Sequence, residues 1–399
     1  MARILLLTHE FEPFRGGIAA VADGLAAGAT AAGHESVVVA PDYGSPQAKA
    51  DAVRTYTVRR FAGHTCSMLS MDKLTRFTAH CAAEIRHIRP DLVHAVDPPA
   101  QMALAILARV RRSNPFVFTV HGTELLRYRD ELFPRLWMGR GLGRVHSIHS
   151  VSEAVYRILH TLLEPLRTRR RAQSGWPHTF VEPPGIRRIW LDRPAANRTD
   201  VRARWNVAPD DLVLLTLSRR VPDKGHEDVI AAITLLPDAL RRRIVYVIAG
   251  AGPDPYARRL EVAAMNGGIR VVLAGPIPDE DAIAACDGAD LHVMLSQQNR
   301  TRLEGFGIAY IEAGARGLAS LARDTGGVAE AVLDGETGRV LPATAAATEI
   351  AAAVAALLND APVRTRMGVA ARSRAQSFCW ELRAAAVYDA FLQRTGIRR

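Results

Sequence analysis

Two carboxylates, Glu304 and Glu312, bracket the run Glu-Gly-Phe-Gly-Ile-Ala-Tyr-Ile-Glu, and residues of these types could grip a ligand rich in hydroxyls and phosphate. Gly305 and Gly307 let a backbone approach a ligand closely, and a helix starting there would aim unpaired N–H groups at an anion. If one helix carries both glutamates, it separates them by roughly 12 Å at about 1.5 Å per residue. That span is comparable to the reach from a hexose to a ribose across a pyrophosphate, so one carboxylate could accept sugar hydroxyls and the other ribose hydroxyls. The same residues also describe a plain helix with an acidic residue at its positive end. A second constellation lies in Ser-Arg-Arg-Val-Pro-Asp-Lys-Gly, residues 218–225. Two fixed cations, Arg219 and Lys224, would stabilise the growing charge of a departing pyrophosphate. Arg220 is an alternative for the first role, because sequence alone does not orient neighbouring side chains.

These residues fall at strand ends. Arg3–Thr8 reads as a buried strand, followed by a loop ending at Gly16-Gly17, a helix to about Ala32 and a strand at Ser36–Ala40. The same alternation continues through strands at Asp91–Val96, Phe116–Val120 and Ile148–Ser150. It restarts after Glu182-Pro183-Pro184-Gly185 with strands at Leu212–Leu217, Ile244–Ala249, Val271–Leu273 and Leu291–Leu295. Runs of Val, Ile and Leu with little alternation suit parallel sheets covered on both faces. The expected fold class is therefore α/β, two Rossmann-like doubly wound domains facing across a cleft. Ligands bind such sheets outside the carboxyl ends of the strands. His121-Gly122 follows one strand and Gly250-Ala251-Gly252 another. The latter lacks the third glycine of a dinucleotide fingerprint.

At 399 residues the chain is long enough for two domains, and its 48% hydrophobic and 23% charged residues are those of an ordinary globular protein. Its first residues contain too short an apolar run for a secretory core, and no run approaches a membrane span. The expected place is the cytoplasm. Four cysteines, at 66, 81, 286 and 379, show neither disulfide nor metal-ligand spacing. The acidic triplet Asp279-Glu280-Asp281 reads as the start of a helix rather than a metal site. The net charge of +10 is one-sided: residues 1–190 hold 25 basic against 16 acidic residues, and 191–399 hold 26 against 25. Arg-rich coding does not explain that asymmetry, so an anionic partner for the first half is expected.

The Glu304–Glu312 run, Ala313 and Asp-Thr-Gly-Gly-Val-Ala-Glu at 324–330 resemble the retaining glycosyltransferases of glycosyltransferase family 4, which share the GT-B fold. The resemblance implies a hexosyltransferase that uses a nucleotide diphosphate sugar as substrate and needs neither cofactor nor metal. It gives Glu304 the donor sugar and Glu312 the ribose, with Phe306, Gly307 and Ile308 between them at the substrate. Arg219 and Lys224 match its Arg and Lys-Gly pattern, and His121 its imidazole near the reacting carbon. Gly16 and Gly17 match its N-terminal glycine loop, Gly250 and Gly252 its Gly-x-Gly turn, and Pro276 and Ile277 the loop that holds the base. Ser377-Phe378-Cys379-Trp380 and the following helix resemble the segment that returns to the first domain. The expected domains are thus 1–185 with 378–399, on the acceptor side, and 186–377, on the nucleotide-sugar side. Two departures bear on specificity: Pro-Pro-Gly-Ile followed by Arg187-Arg188, and a long polar loop from Gln297 to Leu303.

Three basic stretches with aromatic or apolar residues suggest contact with an anionic membrane and a lipid-linked or otherwise anionic hydroxyl acceptor. They are the Lys73–Arg89 helix, the stretch from Arg127 to Arg144, and Arg167 to Trp176. A nucleotide-sugar epimerase of similar architecture and a non-catalytic sugar-nucleotide-binding protein are the alternatives, and no recognised nucleic-acid module is present.

Overall fold

The computed structural model describes residues 1–13, 16–44, 47–62, 71–109, 115–130, 141–142, 144–169 and 177–396. The chain divides into two compact units, Met1–Gly185 with Cys379–Arg399, and Ile186–Phe378. Each is built on a parallel sheet.

The sheet of the first unit has seven strands: β1 (Arg3–Leu7), β2 (Glu35–Asp42), β3 (Thr57–Ala62), β4 (Leu92–Ala95), β5 (Phe116–Val120), β6 (Ser147–Ser150) and β7 (His178–Val181). Their spatial order is β3-β2-β1-β4-β5-β6-β7. Leu5, Leu7, Val93, Phe116 and Phe118 are buried in one core with the helices Met71–Ile88 and Pro98–Leu107. The stripe Leu74, Phe77, Cys81, Ile85 and Ile88 faces that core, so the apolar face of this helix is already covered. On the other face the helix Gly17–Ala31 packs against the last helix, Trp380–Thr395. A side chain at Gly24 would run into the Trp380 indole, and one at Gly28 into the Trp380 carbonyl and Ala384. That close approach ties the C-terminal helix to the first unit.

The second unit has six strands: β8 (Leu212–Leu217), β9 (Ile244–Ala249), β10 (Arg270–Gly275), β11 (Leu291–Met294), β12 (Ser320–Arg323) and β13 (Gly338–Leu341). They lie in the order β10-β9-β8-β11-β12-β13, with buried apolar layers on both faces of the sheet. In both sheets chain order reverses direction beside the first strand, between β1 and β4 and between β8 and β11. Such a switch point opens a crevice at the carboxyl ends of the two strands. Among the described residues no helix is long and apolar enough to cross a membrane.

Candidate active site

At the switch point of the second unit the chain leaves β8 at Ser218-Arg219 and β11 at Leu295-Ser296. Glu304 lies there in irregular chain, and its Oε2 accepts hydrogen bonds from Lys224 Nζ (2.6 Å) and Ser296 Oγ (2.7 Å). Burial works to raise the Glu304 pKa. The charge and hydrogen bond of Lys224, the Ser296 hydroxyl and the charge of Arg219 outweigh it and hold the carboxyl below its ordinary range. The carboxylate is therefore a fixed anion.

Its backbone is held as firmly. The Gly327 N–H donates to the Glu304 carbonyl at 3.0 Å, and Thr325 Oγ1 donates to the Ser296 carbonyl at 3.1 Å. Gly326 has φ +57°, and a Cβ there would strike the Glu304 carbonyl. The segment 324–330 thus braces Glu304 from behind. Lys224 ends a single 3-10 turn, Pro222–Lys224, and Gly225 follows at φ +72° against the Leu295 carbonyl. A side chain at Gly225 would force apart the two strand ends that bring Lys224 to Glu304.

The helix after Glu304 begins only at Ile308, with Gly307 as its N-cap at φ +94°. Glu304 and Glu312 therefore do not share a helix, and the spacing of about 12 Å expected from helical rise does not apply. The two glycines set a turn between them instead. Gly307 and Ile308 lie at the helix N-terminus, whose first amides have no partner within the helix. Phe306 is buried and stacks on Phe378 at 5.7 Å, so its ring belongs to the core and only its backbone faces the turn. Glu312 is half-buried in the second turn of this helix. Burial pushes its carboxyl up to about 7, with Arg187 pulling the other way.

Of the adjacent arginines, Arg220 is buried and donates to the Gly252 carbonyl at 3.1 Å, whereas Arg219 is exposed. Of the two, only Arg219 has its side chain at the surface. Gly250 and Gly252 pack against this segment: a Cβ on either would collide with the Ser218 or Arg220 carbonyl. They shape the β8 loop from beneath. Pro276 is exposed and Ile277 half-buried, between β10 and the helix Asp279–Gly288. The acidic triplet opens that helix, with Asp279 paired to Arg187 and Asp281 to Arg204.

In the first unit, Gly16 caps the helix that starts at Gly17. Asp97, buried at the end of β4, accepts from Thr8 Oγ1 (3.0 Å), the His9 and Glu10 amides, and Ala100 N (3.0 Å). One carboxylate thereby fastens the chain leaving β1 and caps a helix. His121 follows β5, and its Nε2 donates to the Val96 carbonyl at 2.8 Å. That bond leaves Nδ1 as the acceptor face of the ring.

Arg219, Lys224 and Glu304 are therefore brought together, Glu312 lies in the helix that follows, and Gly16, Gly17 and His121 belong to the other unit. Sequence reasoning missed Ser296, Thr325, Asp97 and His226. The first three follow strand ends, a signal that position alone offered. Of the proposed membrane stripes, Arg127 and Arg129 flank Tyr128, which is buried against Gln101. The stretch 131–140 and residues 170–176 lie outside the described residues. Among the described residues no cluster of His, Cys, Asp and Glu could hold a metal ion.

Known proteins agree on a family. Residues 197–374 match the model of glycosyl transferases group 1, and residues 15–169 match that of Glycosyltransferase Family 4. A GDP-mannose-dependent alpha-(1-6)-phosphatidylinositol monomannoside mannosyltransferase of Mycolicibacterium smegmatis is 32% identical over 96% of both chains. A D-inositol 3-phosphate glycosyltransferase of Streptomyces scabiei is 29% identical over 75% of this chain and 62% of its own. The structure of HepE from Anabaena with UDP and glucose superimposes with a TM-score of 0.79, at 19% identity over 98% of this chain and 100% of its own. The two parallel-sheet units are those of the GT-B fold. The chain belongs to the group 1 (family 4) glycosyltransferases and is a hexosyltransferase that uses a nucleotide sugar.

Proposed function

We propose that the chain transfers mannose, with retention of configuration and without a metal or cofactor, from GDP-mannose to a hydroxyl of an inositol-bearing, phosphate-containing acceptor. The single observation that carries this reading is the cluster at the β8–β11 switch point, where Lys224 and Ser296 hold Glu304 ionised beside Arg219. In this reading Glu304 accepts donor-sugar hydroxyls while Lys224 and Arg219 stabilise the departing diphosphate. Glu312 takes the ribose, the amides of Gly307 and Ile308 face phosphate, and the backbone at Pro276 and Ile277 takes the base. Gly16, Gly17 and His121 serve donor phosphate, acceptor and donor sugar from the first unit. The mannosyl donor and the inositol acceptor are suggested by the relatives, and the basic excess of residues 1–190 fits an anionic acceptor.

Retention by double displacement needs a nucleophilic carboxylate beneath the anomeric carbon. With Glu304 engaged in hydroxyl and cation contacts, front-face substitution is the proposed course, the leaving phosphate accepting the acceptor proton. The test is to incubate the protein and a chelator with GDP-mannose, UDP-glucose or ADP-glucose and a phosphatidylinositol monomannoside, and to assign the product anomer by NMR. A new α-linked mannoside from GDP-mannose is expected. Donor conversion without acceptor would favour an epimerase, and trapping of a sugar ester on Glu304 would overturn the front-face course. Peripheral contact with an anionic leaflet on the cytoplasmic side completes the proposal. Liposome flotation that shows no preference for anionic lipid removes that part.

A further inference from the structure

A buried polar chain runs under the β8 loop. His226, at the start of the helix His226–Thr234, is fully buried. Its Nδ1 lies 3.2 Å from Tyr246 Oη, and its Nε2 lies 3.3 Å from the Arg219 carbonyl and 3.5 Å from Ser218 Oγ. Tyr246 Oη in turn lies 2.8 Å from Thr216 Oγ1, whose hydroxyl donates to the Val293 carbonyl. The chain links β9, β8 and β11 to the one exposed cation of the cluster. Apolar side chains would fill this space at lower desolvation cost, because buried polar groups need partners. Arg219 itself is exposed, with a long side chain of many rotamers. The Arg219 carbonyl also accepts from Val221 N (3.0 Å) and Ser218 Oγ (3.1 Å). It is the fixed point from which the guanidinium departs.

We infer that His226 is a positioning residue for the diphosphate contact: it holds the Arg219 backbone from within the core and so sets the affinity for a nucleoside diphosphate without touching it. The inference rests on the reading of Arg219 as a diphosphate contact. Burial lowers the His226 pKa to about 4, and Lys224 and Arg220 act in the same direction against the Arg219 carbonyl and Asp223. The ring is therefore neutral at physiological pH and works through hydrogen bonds rather than charge.

The experiment is calorimetric titration of the full chain with GDP and UDP. Asparagine at 226 puts its polar atoms in the place of Nδ1, and glutamine in the place of Nε2. His226→Asn should weaken binding roughly tenfold, the worth of one lost buried hydrogen bond. His226→Gln should stay within about threefold, and Tyr246→Phe, which removes one oxygen at the far end, should weaken binding in the same direction as His226→Asn. In an Arg219→Ala background His226→Asn should cost less than about twofold, because the two act through one contact. Equal affinity for both His226 variants and the wild type overturns the inference, as does equal weakening by asparagine and glutamine. A tenfold effect that persists without Arg219 also overturns it. If neither GDP nor UDP binds the wild type, the donor reading fails first and this inference falls with it.

Discussion

The two switch points share one topology and use their carboxylates in opposite ways. At the β1–β4 point of the first unit, Asp97 accepts from one hydroxyl and three backbone amides, all belonging to the chain's own turns. At the β8–β11 point of the second, Glu304 accepts from a lysine ammonium and a serine hydroxyl on a single oxygen. Asp97 is architectural, because the groups it accepts from are the backbone amides and the hydroxyl of the chain's own turns. Glu304 is held by groups that a phosphate or a sugar hydroxyl can also engage. The corresponding switch points of the two sheets thus carry a carboxylate held by the chain's own turns in one unit and one held by a cation and a hydroxyl in the other. A buried carboxylate at a strand end does not by itself reveal function; the useful distinction is whether its partners are the chain's own amides or a charged side chain.

The largest expected effect separates the two on activity. Glu304→Gln keeps the shape but removes the charge that Lys224 faces, and should lower kcat/KM by about 10²–10³-fold, the usual loss when a preorganised electrostatic contact is removed. Lys224→Met in the same background should add little, since the two groups act as a pair. Steady-state kinetics on both variants checks this. A Glu304→Gln protein within about threefold of wild type would place the chemistry elsewhere.

A smaller effect, on stability, should run the other way. Asp97→Ala removes the side-chain acceptor of the His9 amide and of the start of the helix Pro98–Leu107, and one of the two acceptors of the Glu10 amide. The expected loss is about 3–5 kcal/mol in denaturant unfolding, the range for breaking a buried charged group with several donors. Glu304→Gln should lose less than half as much. If the two variants unfold at the same denaturant concentration, the contrast between the two carboxylates is wrong.

The strands most legible in the sequence were those buried on both faces, such as β1, β5, β8 and β9, whose apolar runs, interrupted at most by one threonine, suit a sheet covered on both sides. β3, with Arg59 and Arg60 in its middle, and β7, with His178, lie at the two edges of the first sheet. Strands exposed along one side need no apolar run and leave no such signature. β12 and β13 were missed, although β4, β6 and β11 of the same four-residue length were read. At the site, Arg219, Lys224 and Glu304 were legible because charge is conspicuous at strand ends. Ser296 and Thr325 were not, because a hydroxyl has no periodicity and serves only once folding brings distant segments together. The helix start was misplaced for a similar reason: Glu-Gly-Phe-Gly suits a helix N-terminus in composition, but Gly307 at φ +94° delays it to Ile308.

The finest difference lies within the second unit, between its two glutamates. Glu304 sits below its ordinary pKa under the cations around it, whereas burial raises Glu312 to about 7. Between pH 4.5 and about 7 an unfolded Glu312 has released its proton while the folded one retains it. Its contribution to stability is therefore fully present below the unfolded value and lost as pH rises through the folded one. Glu312→Gln never ionises, so its stability relative to wild type should be nearly independent of pH below about 4.5. It should then improve through pH 8 by on the order of a few kcal/mol. For Glu304 the sign reverses: its contribution is present above the unfolded value and lost as pH falls through the depressed one, so Glu304→Gln should compare worst with wild type at neutral pH. Denaturant unfolding of both variants from pH 4 to pH 8 gives two difference curves that should diverge. Parallel curves would mean that Glu312 is ionised at neutral pH like Glu304, and that burial does not hold its proton.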